Sequence, residues 1–575
     1  MTGIAASAAP HHRKITPPRV SGWLVASGVI TALVLAPVLS LAAIALRGSG
    51  EMWPHLLRYV LPVALRDTTL LLAGVAAVAG LIGVGTAWLV TAHRFPGRDF
   101  FDWALLLPLA IPTYIMAYAS LDLMHPLGPV QGAIRALFGI ASPADFRLPD
   151  LRSMWGAILL FGLVLYPYVY LTTRAMFLMQ SACVIDVSRT LGASRMQSFF
   201  RVALPLARPA VAVGLSLVMM EALNDLGASD ILGVRTLTVS IYSTWVNSSS
   251  LEGAAQIALV MLAVVIALVV WERYARRHQR FNAQAQRSRR ITPLPLKGGA
   301  AFLAASACAL PILLGFAAPA LYLLNEAIKV LARDGFPRHT LTEAWHTILL
   351  ASLATVVTVA LGLVLAYTSR TVRGALPPTL VRLGSVGYAI PGTVLAVGLL
   401  TPLAAFDNAL DGAMRQWFGL STGLLLSGTV VALIYAYSVR FMAISAGGAE
   451  AGFQKIAPSL DAAARNLGEN AAGVVRRVHL PLLRPALGGA ALLVFVDAMK
   501  ELSATLLLRP FNFETLATYV YAEASRGTYE DGSVAALMIV LVGLLPVALL
   551  ARASRLPLAE GARATEERRE SSRSV

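Results

Sequence analysis

The sequence predicts an all-α, polytopic membrane protein with about twelve transmembrane helices in two homologous halves. Three observations predict it. Hydrophobic residues make up 57% of the 575 positions and charged residues only 14%, against about 25% charged in an ordinary soluble domain. The mean hydropathy is +0.68, which leaves too little polar surface to cover a water-facing globule of this length. Apolar runs of about 20 residues, each long enough to cross a bilayer, recur along the chain, and the second series repeats signature residues of the first.

In order, the runs of the first half lie near 21–46, 65–92, 101–121, 154–178, 207–230 and 253–272. Those of the second half lie near 301–328, 344–369, 379–403, 422–446, 484–508 and 532–553. The first run, Val20 to Leu46, follows a basic segment. It exceeds the roughly 7–15 apolar residues of a signal-peptide core and reads as a retained membrane helix. The two cysteines, Cys183 and Cys308, argue against a disulfide framework or a structural zinc site. The nine histidines contain no close pair at ligand spacing, so a permanent metal site is not expected.

The net charge is +16, and it sits between apolar stretches, as the positive-inside rule requires and a nucleic-acid surface does not. Basic residues cluster after the fourth run (Arg189, Arg195, Arg201, Arg208), after the sixth (Arg273 to Lys297) and after the tenth (Lys455, Arg465, Arg476, Arg477, Arg484). Alternating helices put these three connectors on one side, so both termini and the central linker are expected in the cytoplasm. The expected organisation is a first half at 1–274 with a cytoplasmic loop near 180–206, a linker at 275–300, a second half at 301–555 with a loop near 450–482, and a cytoplasmic tail at 556–575. The Arg/Glu/Ser-rich tail reads as disordered.

The repeat is sharpest in the two long basic loops. Asp186-Val-Ser-Arg-Thr-Leu-Gly192 precedes Leu204-Pro205, and Ala462-Ala-Ala-Arg-Asn-Leu-Gly468 precedes Leu480-Pro481, with nine residues between each Gly and the following Val-x-Leu-Pro. Arg208-Pro209 then matches Arg484-Pro485, and Glu221, Asp225 match Asp497, Glu501. Ile111-Pro112 matches Ile390-Pro391. Glycine permits a backbone turn without a Cβ, and each Pro is expected to open the next span, where its missing N–H costs nothing.

These segments resemble the coupling ("EAA") loop of ABC-importer permeases: an acid, two small residues, Gly at the seventh position, then aliphatic-x-Leu-Pro. The resemblance covers essentially the whole chain once the repeat is counted. It implies the type I ABC importer permease fold, carried by a bacterial inner-membrane protein. It also implies a short cytoplasmic helix in each half that docks on an ATPase subunit, two ATPase copies per chain, and an extracytoplasmic substrate-binding protein. The residues it singles out are Asp186, Gly192, Leu204 and Pro205 in the first loop, and Asp461, Ala463, Ala464, Gly468, Leu480 and Pro481 in the second. The first copy has Asp186 for the usual Glu, with Val187 and Ser188 for the usual Ala. The second has Ala462 at the acid position, so its acid role is lost or shifted to Asp461.

Each of the five lysines (Lys14, Lys297, Lys329, Lys455, Lys500) lacks a preceding Gly, so the chain has no G-x-x-x-x-G-K-[ST] phosphate loop. No nucleophile–base constellation or cofactor fingerprint appears either. The chain reads as a transport subunit, not an enzyme, with ATP and Mg on partner subunits and no cofactor of its own.

Charges inside the spans are costly, at least about 2.5–3.5 kcal/mol each on the insertion scale, and usually face protein or a water-filled cavity. Glu221 and Asp225, and Asp497 and Glu501, are four apart, so each pair is expected on one helix face. With Lys500, and with the prolines of the two Ile-Pro breaks, Pro112 and Pro391, they are candidate residues of a translocation path favouring a cationic substrate. The competing reading is helix–helix hydrogen bonding, with Lys500 neutralising its neighbours. Tyr166-Pro-Tyr-Val-Tyr170 reads as an aromatic, proline-kinked helix end or as a substrate contact. Within the family, Ile111 to Tyr118 and Met220 to Gly227 look most like the ferric-iron branch. Thiamine, polyamine and phosphonate permeases are the alternatives. An ion-coupled secondary transporter using the same acids is the rival class; it would have no use for two coupling loops.

Overall fold

The computed structural model describes residues 22–140, 142–179, 190, 192, 194–276, 293–372 and 374–571. Among these, eleven helices are long and apolar enough to cross a membrane, or twelve if one sharply bent pair counts as a span. In the first half they are Gly22–Leu46, Met52–Ala92, the bent pair Arg98–Ala110 and Thr113–Leu123, Met154–Met179, Met196–Asn224 and a helix opening at Leu251. In the second half they are Gly298–Asp334, Arg338–Thr371, Gly392–Phe418, Val430–Gln454, Ala472–Met499 and a helix opening at Ser533. Strand structure among the described residues is one short parallel pairing of His93–Arg94 with Leu294–Pro295.

The halves repeat one another down to single hydrogen bonds. The Leu237 amide donates to Thr68 Oγ1 at 3.0 Å, and the Leu516 amide donates to Thr347 Oγ1 at 2.9 Å. Each of these threonines thereby ties the short helix beyond the fifth long helix to the second long helix of its half. At Gly83 a Cβ would lie 2.7 Å from Val169 Cβ, and at Gly362 a Cβ would lie 2.8 Å from the Ala446 amide. At matching heights in both halves, then, a missing side chain lets two helices close on each other, the packing membranes favour where no hydrophobic force drives helices together.

The first helix of each half packs on the other half. Ser27 Oγ donates to Thr368 Oγ1 at 2.7 Å, and Tyr435 Oη donates to the Leu33 carbonyl at 2.7 Å. Gly398 gives the Pro37 backbone room to approach. Reciprocally, a Cβ at Gly315 would lie 2.6 Å from the Leu163 carbonyl. The halves are therefore cross-braced by exchanged helices.

Several expected boundaries move, each for a local reason. The span expected at 101–121 is two helices bent by 93°, because Pro112 has no amide to donate and Ile111 is extended. The span expected at 379–403 likewise breaks at Ile390-Pro391 and then continues to Phe418. The span expected at 422–446 opens at Val430, after the Asp407 carboxylate accepts from the Leu426 and Ser427 amides, the latter at 2.7 Å. Pro205 and Pro481 do not open their helices, which start earlier, at Met196 and Ala472. A wider turn precedes each: the Leu204 amide reaches back five residues to Phe199 and the Leu480 amide to Val475. This opens the helix where a proline ring would otherwise strike a carbonyl. The tail read as disordered is helical through Ser571, in keeping with the high helix propensity of its Ala, Leu, Arg and Glu residues.

Candidate functional site

The fifth long helix of each half stops short, and the acids read as helix-face pairs straddle the stop. The first helix ends at Asn224, leaving Asp225 extended, and the second ends at Met499, leaving Lys500 and Glu501 beyond it. Glu221 and Asp225 therefore do not share a helix face, nor do Asp497 and Glu501. The outer acid of each pair caps the short helix that follows: Asp225 Oδ1 accepts from the Ala228 amide at 2.7 Å, and Glu501 Oε1 from the Ala504 amide at 2.9 Å.

The two stops meet the two Ile-Pro breaks. Thr113, just past Pro112, donates its hydroxyl to Asp225. Just past Pro391, a Cβ at Gly392 would lie 2.7 Å from Arg440 Nη1 and 2.9 Å from Glu501 Oε1. The four discontinuities surround a cavity of ≈ 130 Å³. Its lining includes Pro112, Glu221, Asp225, Asp497, Lys500 and Glu501, so six of the seven candidate path residues meet at one place. Pro391 does not line it, but positions Gly392 against its wall.

Charges pair unequally here. Lys500 Nζ lies 2.9 Å from Asp497 Oδ1, and Arg440 Nε lies 3.5 Å from Glu501 Oε2. Glu221 accepts from Tyr388 Oη at 3.3 Å, and Asp225 from Thr113 and Ala228. Two carboxylates thus have cationic partners and two have neutral donors. Arg440 Nη1 is buried without a hydrogen-bond partner. Irregular backbone of this kind belongs where it lines a cavity and not lipid.

Sequence reading missed Arg440 and Tyr388. Arg440 carried a usable signal, as a basic residue inside the apolar run of Val430–Gln454. Of the aromatic segment, Tyr168 lines the cavity, whereas Tyr166 and Tyr170 are buried in packing.

At the opposite end of the helices, the second coupling segment forms the helix Pro458–Asn466. It closes on Gly468, whose amide bonds the Arg465 carbonyl while the Glu469 amide bonds that of Ala464, a left-handed stop that requires φ > 0. Gly468 has φ +87° and Gly192 φ +86°, so both copies use the same turn. Ala464 is buried, Ala463 is exposed, and Leu460 and Leu467 are 43% and 86% exposed. Asp461, the alternative position for the acid role, points inward. Arg370 Nε and Nη2 each reach it at 3.0 Å, and His479 Nε2 at 2.8 Å. Burial alone would raise the Asp461 carboxyl; hydrogen bonds from Arg370 and His479 outweigh it and hold the group below its usual range. Leu204-Pro205 and Leu480-Pro481 lie inside their helices, and Asp186 falls outside the described residues.

Residues 79–280 match the family model of the binding-protein-dependent transport system inner membrane component. The chain is 26% identical to an Fe(3+)-transport system permease protein of Haemophilus influenzae, over 84% of this chain and 89% of that one. It is 25% identical to a probable ABC transporter permease of Sinorhizobium fredii, over 94% and 97%. It is 30% identical to the sulfate transport system permease protein of Salmonella typhimurium, over 36% of this chain and 74% of that one. With its two repeated halves, its broken helices around one cavity and its eleven to twelve spans, the chain belongs to the inner-membrane permease components of binding-protein-dependent ABC importers.

Proposed function

We propose that this chain is the permease of an iron(III) importer, that its two coupling segments dock two ATPase subunits, and that a separate extracytoplasmic protein delivers the cargo. In this reading the halves span 1–274 and 301–555, and the linker 275–300, both termini and both coupling loops face the cytoplasm. The observation that carries the cargo assignment is the charge of the central cavity: four carboxylates against two cations, with Glu221 and Asp225 hydrogen-bonded by neutral donors. An excess of fixed negative charge favours a cation and repels an oxyanion. The similarity to an Fe(3+)-transport permease along 84% of the chain supports the same choice. Docking is supported by the exposed Leu460 and Ala463 on the Pro458–Asn466 helix and the exposed Leu467 at its C-cap, an uncovered apolar stripe beside the left-handed stop at Gly468.

A second reading, oxyanion transport, has one observation in its favour, the unpartnered Nη1 of Arg440, together with the sulfate permease among the relatives. Proteoliposomes containing the chain, its ATPase and its binding protein separate the two. Ferric iron should accumulate with ATP and sulfate or molybdate should not, and Glu221→Gln with Asp225→Asn should cut iron uptake at least tenfold while ATPase subunits stay bound. Sulfate accumulation, or full iron uptake by the double variant, would overturn the cargo assignment.

A further inference from the structure

Glycines let the helices of this bundle close on each other's backbones, yet a void interrupts the joint between the halves. It lies where the first helix, Gly22–Leu46, meets Arg338–Thr371 and Val430–Gln454 of the other half, and its volume is ≈ 230 Å³. Close-packed interiors hold few voids larger than a water molecule, and the walls of an empty one forfeit their contacts outright. An apolar cavity of about 150 Å³ stays dry and takes benzene, so this one has room for a longer apolar group.

The lining is aliphatic apart from two residues whose hydroxyls are already engaged. Pro37 has no amide to donate, which frees the Leu33 carbonyl one turn earlier, and Tyr435 Oη donates to that carbonyl at 2.7 Å. Ser438 Oγ accepts from Thr358 Oγ1 at 3.3 Å. What remains is an apolar wall that neither water nor a polar ligand would wet.

The void is continuous with the lipid-facing surface. Its mouth is formed by Leu33, Val357 and Val431, which are 49%, 38% and 47% exposed on membrane-spanning helices. Its floor is formed by Val34, Val439 and Met442, all at most 2% exposed. Val431, Tyr435, Ser438 and Met442 follow one face of their helix, so the groove runs along that helix. At about 1.5 Å per residue, Val431 to Met442 covers roughly 16 Å, close to half of the roughly 30 Å hydrocarbon core, the depth of one leaflet. Gln454, at the far end of the helix, leads into the coupling segment, so Val431 lies at the opposite, extracytoplasmic end.

We propose that this groove binds one acyl chain of an outer-leaflet phospholipid, which completes the joint between the first helix and the second half. The length of the groove, its opening to the bilayer and its lack of free polar groups all fit a polymethylene chain lying along the helices. A phospholipid keeps its headgroup at the membrane surface while one tail reaches the floor. The site is separate from the central cavity and stands whatever the cargo is.

The test reconstitutes the full chain in phospholipid vesicles that contain a trace of phosphatidylcholine carrying a diazirine within one acyl chain. After illumination, peptide mass spectrometry locates the label. Val439 and Met442, closed to the bilayer unless a chain enters the groove, should be labelled along with the exposed Val356. Leu433, buried on the same helix but outside the groove, should stay unlabelled. Leu361→Trp and, independently, Ser438→Leu fill the groove and should lose the label at Met442 while keeping it at Val356. If a variant fails to fold, the wild-type pattern decides by itself. Label at Val356 without label at Val439 or Met442, label spread equally to Leu433, or unchanged label at Met442 in both filled variants would overturn the site. So would labelling of the floor by a diazirine fatty acid but not by the phospholipid.

Discussion

Replacing Asp461 by Asn should loosen the second coupling helix without unfolding the bundle. The carboxylate accepts two bonds from the Arg370 guanidinium and one from His479. Hydrogen bonds to a charged group contribute about 1.5–3 kcal/mol each. Asn keeps one acceptor oxygen, and Arg370 keeps its bonds to the Phe453 and Ile456 carbonyls, so most but not all of the tie is lost. With both partners about one-sixth exposed, solvent takes up part of the loss. A local cost of about 2–3 kcal/mol follows, or roughly 30–160-fold in the opening equilibrium. Hydrogen exchange, corrected for intrinsic rates, should show that loss of protection across 458–480 and little change in the central helices. The pH dependence has a definite sign. The Asp461 carboxyl is held low in the fold, so its contribution is complete above the unfolded value of about 3.9 and is lost as pH falls below that, through the folded value. Acidification below about pH 4 should therefore loosen this segment in the wild type and not in Asp461→Asn. Unchanged protection in the variant, or equal acid sensitivity of both, would refute the tie.

Gly468→Val should cost about 1–2 kcal/mol at the left-handed stop, with Gly468→Asn milder, and ATPase stimulation by the binding protein should fall in that order; equal coupling in both would remove the turn from the account. Arg440→Met removes the ion-pair partner of the buried Glu501, a loss of about 3–5 kcal/mol readable as a lowered melting temperature in detergent, and Arg440→Met/Glu501→Gln should recover most of it. Gly362→Leu should prevent closure on Ser445 and Ala446 and abolish folded yield, whereas a leucine at Gly488, which has open space around it, should be tolerated.

Much of this architecture is carried by local signals. Twenty-residue apolar runs identified the spans, and identical spacing around Gly192 and Gly468 located two turns with the same backbone angle. The charge inside the fifth and eleventh spans located the cavity, because its burial cost is local too. What spacing alone misjudged were the stops. The i, i+4 acids implied continuous helix, but Asn224-Asp225-Leu-Gly227 combines residues that favour caps and turns. Exchange of the first helices could not be read at all, since Ser27 meets Thr368 across 341 residues of sequence. Asp461 was placed by its neighbours: nothing in its own segment announces Arg370, 91 residues earlier.

The most direct test of the central claim is solute accumulation in sealed vesicles. Vesicles bearing this chain alone should accumulate no iron under any imposed proton or sodium gradient. Adding the ATPase to the inner face, the binding protein to the outer face and ATP inside should produce uptake that stops when hydrolysis is blocked. Gradient-driven accumulation by the chain alone would contradict the account.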